Sequence, residues 1–319
     1  MPAFEMPLEK LREYQGSTPR PDDFDEYWER ALNEINSIDP KVKITPAKFQ
    51  TKFADCFDMH YTSAGGNRIY AKYIRPKNIS SKVPVVLYFH GYELSSGDWT
   101  EHFRWTLAGY SVLAMDCRGQ GGNTPDIFNI EGPTVKSQFI RGLEGDKDKM
   151  YYRQVFLDAV QLAKIAKNLE EVDPERIYAY GRSQGGGLTL ACAALFPEIK
   201  KLAPVNPYLS DYKRVWHMDL GEQAYNGLKY YFRARDPRHE REDDIWNRYG
   251  YIDVQNLECR IKGEVLFFTG LMDKICPPSS QFATYNKINS KKYMHIYPDY
   301  GHERLPEHED LIFEFFTKD

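Results

Sequence analysis

From Pro84 onward the chain is marked by short apolar runs with no polar interruption. Val85-Val86-Leu87-Tyr88-Phe89 is the first, as expected of a strand buried on both faces. Similar runs recur at Ser111 to Met115, Arg176 to Tyr180, Leu202 to Val205, Val265 to Phe268 and Tyr293 to Tyr297. Helical patterns lie between several of them. From Tyr152 to Leu169, apolar residues fall at 152, 155, 156, 159, 163 and 166, which is one face of a helix. Strands alternating with helices predict an α/β fold: a mostly parallel central sheet flanked by helices, with right-handed crossovers. Before Pro84 the pattern differs. Residues 44–74 alternate apolar and polar, and Gly65-Gly66-Asn67 fits a hairpin turn between two antiparallel strands. Residues 1–40 read as an N-terminal arm wrapping the core, with a helix starting at Asp22-Asp23 ahead of Phe24-Asp25-Glu26-Tyr27-Trp28.

Two stretches break the alternation within what reads as one domain over residues 1–319. Gly119 to Met150 is rich in Gly, Asn and Asp and has little periodicity; Ser210 to Arg260 is charged and aromatic and reads as a helical insertion ahead of the strand at Val265. The charges from Asp211 to Arg241 read as a solvated helical surface. There is no internal repeat and no low-complexity segment.

Composition narrows the class. Hydrophobic residues at 42% and charged residues at 28% suit a soluble globular protein with a large core. With 42 basic against 46 acidic residues and no dense Lys/Arg run, nucleic acid is excluded as an expected partner. The start of the chain carries no secretory pattern and the apolar runs fall far short of a membrane span, so the expected location is cytoplasmic. The five cysteines, Cys56, Cys117, Cys192, Cys259 and Cys276, are odd in number and widely spaced; they read as reduced thiols, with neither a disulfide framework nor a zinc site.

The chemistry concentrates at Gly181-Arg182-Ser183-Gln184-Gly185. A strand, Ile177 to Tyr180, runs into it, and a small-residue helix, Leu188 to Leu195, follows. Strand, G-x-S-x-G and helix together make the context of a nucleophile elbow, with Ser183 as nucleophile. The sharp turn requires almost no side chain two residues before and two after the serine. The helix then aims its free N–H groups at the site, and Gln184 supplies one backbone N–H to an oxyanion. A phosphate loop is excluded, because no Lys-Ser or Lys-Thr closes the run.

In this arrangement the acid and then the histidine follow the serine along the chain. Of the later histidines, His302 lies in the loop after the last predicted strand, where the base belongs. His295 falls inside that strand, His308 on the exposed start of the last helix, and His217 and His239 in the insertion. Asp273 follows the strand at Val265 and is the expected acid; Asp299 competes from three residues before His302. The second oxyanion donor is the backbone N–H of Tyr92 in Phe89-His90-Gly91-Tyr92, whose side chain is also the first candidate for a substrate-binding wall. His90 precedes the serine and is expected to support this loop. His302 would take the Ser183 proton while Asp273 orients the imidazole, with no metal or organic cofactor needed.

Three separated motifs, Arg118-Gly119-Gln120, Gly181-x-Ser183-Gln184-Gly185 and His302-Glu303, resemble the signatures of the acetyl xylan esterase and cephalosporin-C deacetylase family, carbohydrate esterase family seven. The resemblance covers nearly the whole chain, including Gly97-Asp98-Trp99, Ser210 to Arg214 and Asp236 to Glu240. It implies an α/β-hydrolase fold and a cytoplasmic serine esterase that removes acetyl from xylo-oligosaccharides and from cephalosporin C. It also implies a homohexamer, a trimer of dimers with sites facing an internal cavity, in which residues 119–150 form a protruding interface loop. Arg118 and Gln120 would be structural. Arg182 departs from the smaller residue common in relatives. Two other readings remain at this level: a peptidase or broad carboxylesterase sharing the elbow, and a scaffold that kept the fold without activity.

Overall fold

A computed structural model describes residues 4–220 and 225–318. The first three residues of the predicted arm and residues 221–224 of the predicted insertion lie outside the described residues. Nine strands form one sheet in the order β1-β2-β3-β5-β4-β6-β7-β8-β9. These are β1 (Lys43–Pro46), β2 (Ala54–Thr62), β3 (Arg68–Pro76), β4 (Val83–Phe89), β5 (Ser111–Met115), β6 (Val172–Arg182), β7 (Lys201–Val205), β8 (Glu264–Gly270) and β9 (Lys292–Tyr297). The alternating N-terminal segment pairs antiparallel from β1 through β3 to β5, and every pair from β5 and β4 through β9 is parallel. The described helices, in chain order, are α1 (Leu8–Leu11), α2 (Phe24–Ser37), α3 (Phe103–Leu107), α4 (Tyr151–Lys167), α5 (Gln184–Leu195), α6 (Tyr212–His217), α7 (Asn226–Arg235), α8 (Glu242–Ile252), α9 (Pro278–Lys287) and α10 (His308–Thr317).

The continuous apolar runs serve two cores at once, because successive strand side chains point to opposite faces. Val85, Leu87 and Phe89 of β4, with Ile177 and Ala179 of β6, join α2, α4 and α5 on one side. Val86 of β4 and Tyr178 and Tyr180 of β6 join Trp105 of α3 and Phe316 of α10 on the other. Each fully buried Leu or Phe adds roughly 1.5–3 kcal/mol. Helix α4 is buried almost throughout, since α2 of the arm covers the face turned away from the sheet; Trp28 stacks on Phe156 at 5.9 Å and Arg153 pairs with Glu34 at 2.8 Å. The arm then reaches both irregular stretches, Tyr27 Oη donating to Lys147 O (2.9 Å) and Trp28 Nε1 to Tyr251 O (2.9 Å).

The loop over residues 119–150 has two short 3-10 turns and meets the insertion through an aromatic cluster in which Phe139 faces Tyr212 (5.9 Å) and Tyr212 faces Tyr249 (4.7 Å). The solvated reading of the insertion holds for the exposed Arg233, Arg235, Arg238 and Glu240 but fails at Asp211, which is fully buried. There Asp211 accepts hydrogen bonds from the arm at Tyr14, Ser17 and Thr18. The five cysteines are unpaired. Among the described residues, no helix is long and apolar enough to cross a membrane.

Candidate active site

Parallel register brings the site together at the C-terminal edge of the sheet, where open α/β sheets present their functional loops. Phe89 of β4 pairs with Gly181 of β6, so His90-Gly91-Tyr92 leaves the sheet beside Arg182-Ser183. Gly270 of β8 pairs with Tyr297 of β9, which sets the Asp273 and His302 loops side by side.

Ser183 occupies φ 58°, ψ −121°, a conformation that a non-glycine residue holds only when its surroundings enforce it. The enforcement is visible. Ser183 N donates to Val205 O (2.9 Å), while Ser183 O accepts from the N–H groups of Gly187 (3.1 Å) and Tyr208 (3.0 Å). The flanking glycines are there because the elbow presses against β4. A Cβ on Gly185 would lie 1.9 Å from Phe89 O, and one on Gly181 would lie 2.5 Å from the same atom. A methyl group at either place would push Ser183 out of position.

His302 joins serine and acid. Its Nε2 lies 3.0 Å from Ser183 Oγ and its Nδ1 lies 2.8 Å from Asp273 Oδ2. Asp273 is completely buried, and its Oδ1 accepts from the N–H groups of Ile275 (2.9 Å) and Cys276 (2.8 Å). A carboxylate so held accepts the Nδ1 proton and leaves the Nε2 lone pair for the serine hydroxyl. Asp299, the competing acid, is exposed in the turn before the histidine. His308 does not sit on an exposed helix start: it is buried, with Nδ1 2.5 Å from Leu305 O, because α10 folds back over the second core. His295 stacks on Phe268 at 5.2 Å, His217 is exposed, and His239 stacks on Phe232 at 4.5 Å.

His90 supports the Gly91-Tyr92 loop in a definable way. Its Nε2 accepts from Cys117 N (2.9 Å), so the ring proton belongs on Nδ1, which donates to Gly91 O (2.7 Å). Burial favours this neutral ring by lowering the His90 pKa. No peptide bond is cis, so the N–H of Tyr92 points opposite to the Gly91 carbonyl that His90 holds. Gln184 is fixed from the other side. Its side-chain amide makes a reciprocal pair with Gln120 (2.8 and 3.1 Å) and accepts from Tyr152 Oη (2.9 Å). Gln120 Nε2 also donates to Tyr151 Oη (3.0 Å), which donates to Arg118 O (2.6 Å), while Arg118 makes a bidentate, fully buried pair with Asp158 at 2.6 and 2.8 Å. The Arg-Gly-Gln segment thus holds Gln184, the neighbour of Ser183, through packing and hydrogen bonds.

Two further residues join the site: Asn206, which no sequence motif marks, and Arg182, which stands out in the sequence only as a departure from the smaller residue of relatives. Asn206 accepts from Gly270 N (3.2 Å) and donates to Gly301 O (3.3 Å), tying the acid loop to the base loop; its place just after a strand at the sheet's C-terminal edge is the one clue. Arg182 Nη2 donates to His302 O (2.8 Å). Asp273, Cys276 and His302 also place three ligand atoms within 4.8 Å of one another. A cation seated there would have to displace the proton between His302 and Asp273. Burial, then the Asp273 charge, raises the Cys276 pKa, which keeps the thiol protonated.

Over Ser183 lies a cleft of about 580 Å³, lined by Tyr88, Tyr92, Leu94, Asn226 and Ile275, with the charged side chains of Glu93, Lys136 and Arg182. Tyr92 Oη accepts from Gln138 N (2.9 Å), which anchors this wall to the irregular loop.

A mostly parallel sheet with a serine elbow after one strand and its acid and histidine after two later strands is the α/β-hydrolase fold, with the site arranged as in its serine hydrolases. Residues 1–319 match the family described as acetyl xylan esterase (AXE1), and the chain belongs to that family of carboxylic ester hydrolases. Acetyl xylan esterase 1 from Thermoanaerobacterium sp. JW/SL YS485 is 52% identical, with a TM-score of 0.97 and coverage of 98% of both chains. An acetyl xylan esterase from Paenibacillus sp. R4 is 35% identical, with a TM-score of 0.93 over 98% of this chain and 99% of that one. Acetyl esterase Axe7A of Xylanibacter ruminicola is 27% identical over 88% of this chain, which spans 63% of that longer protein. Pyrococcus horikoshii acylaminoacyl peptidase, 18% identical with a TM-score of 0.59 over 84% of this chain and 41% of that one, shares the fold alone.

Proposed function

We propose that this chain is a serine esterase that removes acetyl groups from small acetylated substrates, xylo-oligosaccharides and cephalosporin C among them, through an acetyl-enzyme intermediate. The observation that carries the reading is the unbroken line from Ser183 Oγ through His302 to Asp273, at 3.0 and 2.8 Å, under an open cleft. His302 Nε2 takes the serine proton as Oγ attacks the acetyl carbonyl. The backbone N–H groups of Tyr92 and Gln184 receive the oxyanion; losing one such donor costs roughly 10²–10³ in rate. The acyl–oxygen bond then breaks and the alcohol leaves with the proton from His302. Water, deprotonated by the same imidazole, attacks the acetyl-serine and releases acetate. Tyr92 forms the wall that limits the acyl group.

We also read the chain as a cytoplasmic homohexamer, a trimer of dimers with residues 119–150 at an interface. What supports this is the family and the way the arm and insertion brace that loop. A monomer in light scattering at working concentration would remove the assembly.

Deacetylation of xylose tetraacetate, acetylated xylan and cephalosporin C, run beside Ser183→Ala, tests the activity; turnover by the alanine variant at the parent's rate would sink it. Activity should also fall from acetate to butyrate esters, since each added methylene in a small pocket is worth about 1–3 kcal/mol. Equal turnover of long-chain p-nitrophenyl esters would refute the small pocket.

A further inference from the structure

Arg182, the residue immediately before the nucleophile, is a half-buried cation without a counter-ion. Its Nη2 is used by the His302 carbonyl, its Nε is buried with no hydrogen-bond partner, and among the described residues no carboxylate lies within ion-pair distance of it. Asp273 and Glu303 act on it only from beyond that distance. Most other arginines that are not exposed are ion-paired, among them Arg104 with Glu309 (2.9 Å), Arg118 with Asp158 (2.6 Å), Arg141 with Asp126 (2.7 Å), Arg153 with Glu34 (2.8 Å) and Arg214 with Glu5 (3.1 Å), while Arg68 donates to Lys41 O (3.0 Å) and Thr62 Oγ1 (2.8 Å). Taking a cation out of water without a partner is costly, and a guanidinium does not escape the cost by losing its proton. A neutral acetylated sugar would leave that cost uncompensated.

Arg182 lines the cleft over Ser183, which has room for an anion, and also a smaller neighbouring cleft that holds Glu101 and Glu309. Lys136, on the lining over Ser183, adds a second positive charge, and Glu93 is the one carboxylate there. The lining therefore carries two cations against one anion, together with Ser183 and His302. Guanidinium matches carboxylate geometry better than any other side chain, and a charge-assisted hydrogen bond is stronger than a neutral one.

We infer that Arg182 is a specificity-determining residue that selects small acetyl esters carrying a carboxylate near the acetyl group, such as acetylated uronic-acid sugars. The inference rests on the esterase reading above and narrows its substrate class. The carboxylate would complete the ion pair that the fold leaves open, with Lys136 contributing a weaker, solvent-screened attraction.

A matched pair of probes tests it: 3-acetoxybenzoate and 3-acetoxybenzamide, which differ in charge and little in shape. The expected kcat/KM ratio, acid over amide, is about 10 to about 100 for the parent enzyme, the range of one charge-assisted hydrogen bond. Arg182→Gln should bring the ratio to about 1 and Lys136→Gln should lower it less. A loss common to both probes belongs to the His302 contact and cancels in the ratio. High salt should lower the parent ratio several-fold, a check that requires no variant to fold. A parent ratio near 1, a ratio unmoved by salt, or a ratio unmoved in folded Arg182→Gln would overturn the assignment. Failure of the esterase reading looks different: neither probe, nor acetylated xylose, would be turned over.

Discussion

Asp273 and Asp253 are both fully buried carboxylates held by backbone N–H groups, and what differs is the group each one faces. Asp273 meets an imidazole: Oδ1 takes two N–H groups and Oδ2 takes His302. Asp253 meets another carboxylate. It accepts from Asp211 N (3.0 Å), Tyr212 N (3.4 Å) and Gln255 N (3.2 Å), and burial together with the nearby Asp211 charge pushes its pKa up to about 7. Asp211 in turn accepts from Tyr14 Oη (2.8 Å), from both N–H and Oγ of Ser17 (2.9 Å each) and from Thr18 N (2.9 Å). A buried acid beside an imidazole suits the proposed proton transfer, whereas the buried acid pair serves as a latch, with Asp211 holding the N-terminal arm. Burial alone therefore says little about role; the partner decides.

The largest effect should come at the first of these acids. Asp273→Asn leaves the volume unchanged but presents the wrong hydrogen-bonding pattern to His302, and kcat on an acetyl ester should fall about 10⁴-fold. Circular dichroism should show a folded protein; a loss below tenfold would mean that another group orients the base.

Asp211→Ala should do the reverse. It strips the arm of its common acceptor and costs roughly 3 kcal/mol of stability, read by urea unfolding. Its kcat should stay within about threefold of the parent, and a collapse of activity in the folded variant would erase the distinction between the two acids.

The smallest effect is a slope. Asp253 holds its proton more tightly in the fold than in the unfolded chain, so the fold binds more protons between the ordinary aspartate range near about 4 and the folded value of about 7. Stability from this group is greatest at low pH and is lost as pH rises through that window. Asp253→Asn should flatten the dependence of Tm on pH between about 5 and about 7.5, by a few degrees in all. A parallel pair of pH curves would show that the acid pair does not control the latch.

The parallel strands, the elbow and the order serine, acid, histidine were legible because each leaves a local trace: a continuous apolar run, a glycine on either side of Ser183, and a loop at the end of a predicted strand. What stayed hidden depends on which distant segments meet. His308 reads as a surface residue until α10 is seen to lie across Trp105 and Phe268. Asp211 reads as one charge among many until the arm supplies Ser17 and Thr18. The Asn206 tie between the acid and base loops spans β7, β8 and β9, and no spacing along the chain announces it.

The neutral ring of His90 has a consequence for how the enzyme meets acid. Adding a second proton would put N–H on Nε2, directly against the N–H of Cys117, and the two donors would force the loop apart. Burial defers that event to a pH below the ordinary histidine range. The Gly91-Tyr92 loop, the proposed oxyanion donor, therefore keeps its shape in solutions acidic enough to charge an exposed imidazole. Mild acid should leave Gly91-Tyr92 as a preformed mould, with loss of rate there reversible on neutralisation.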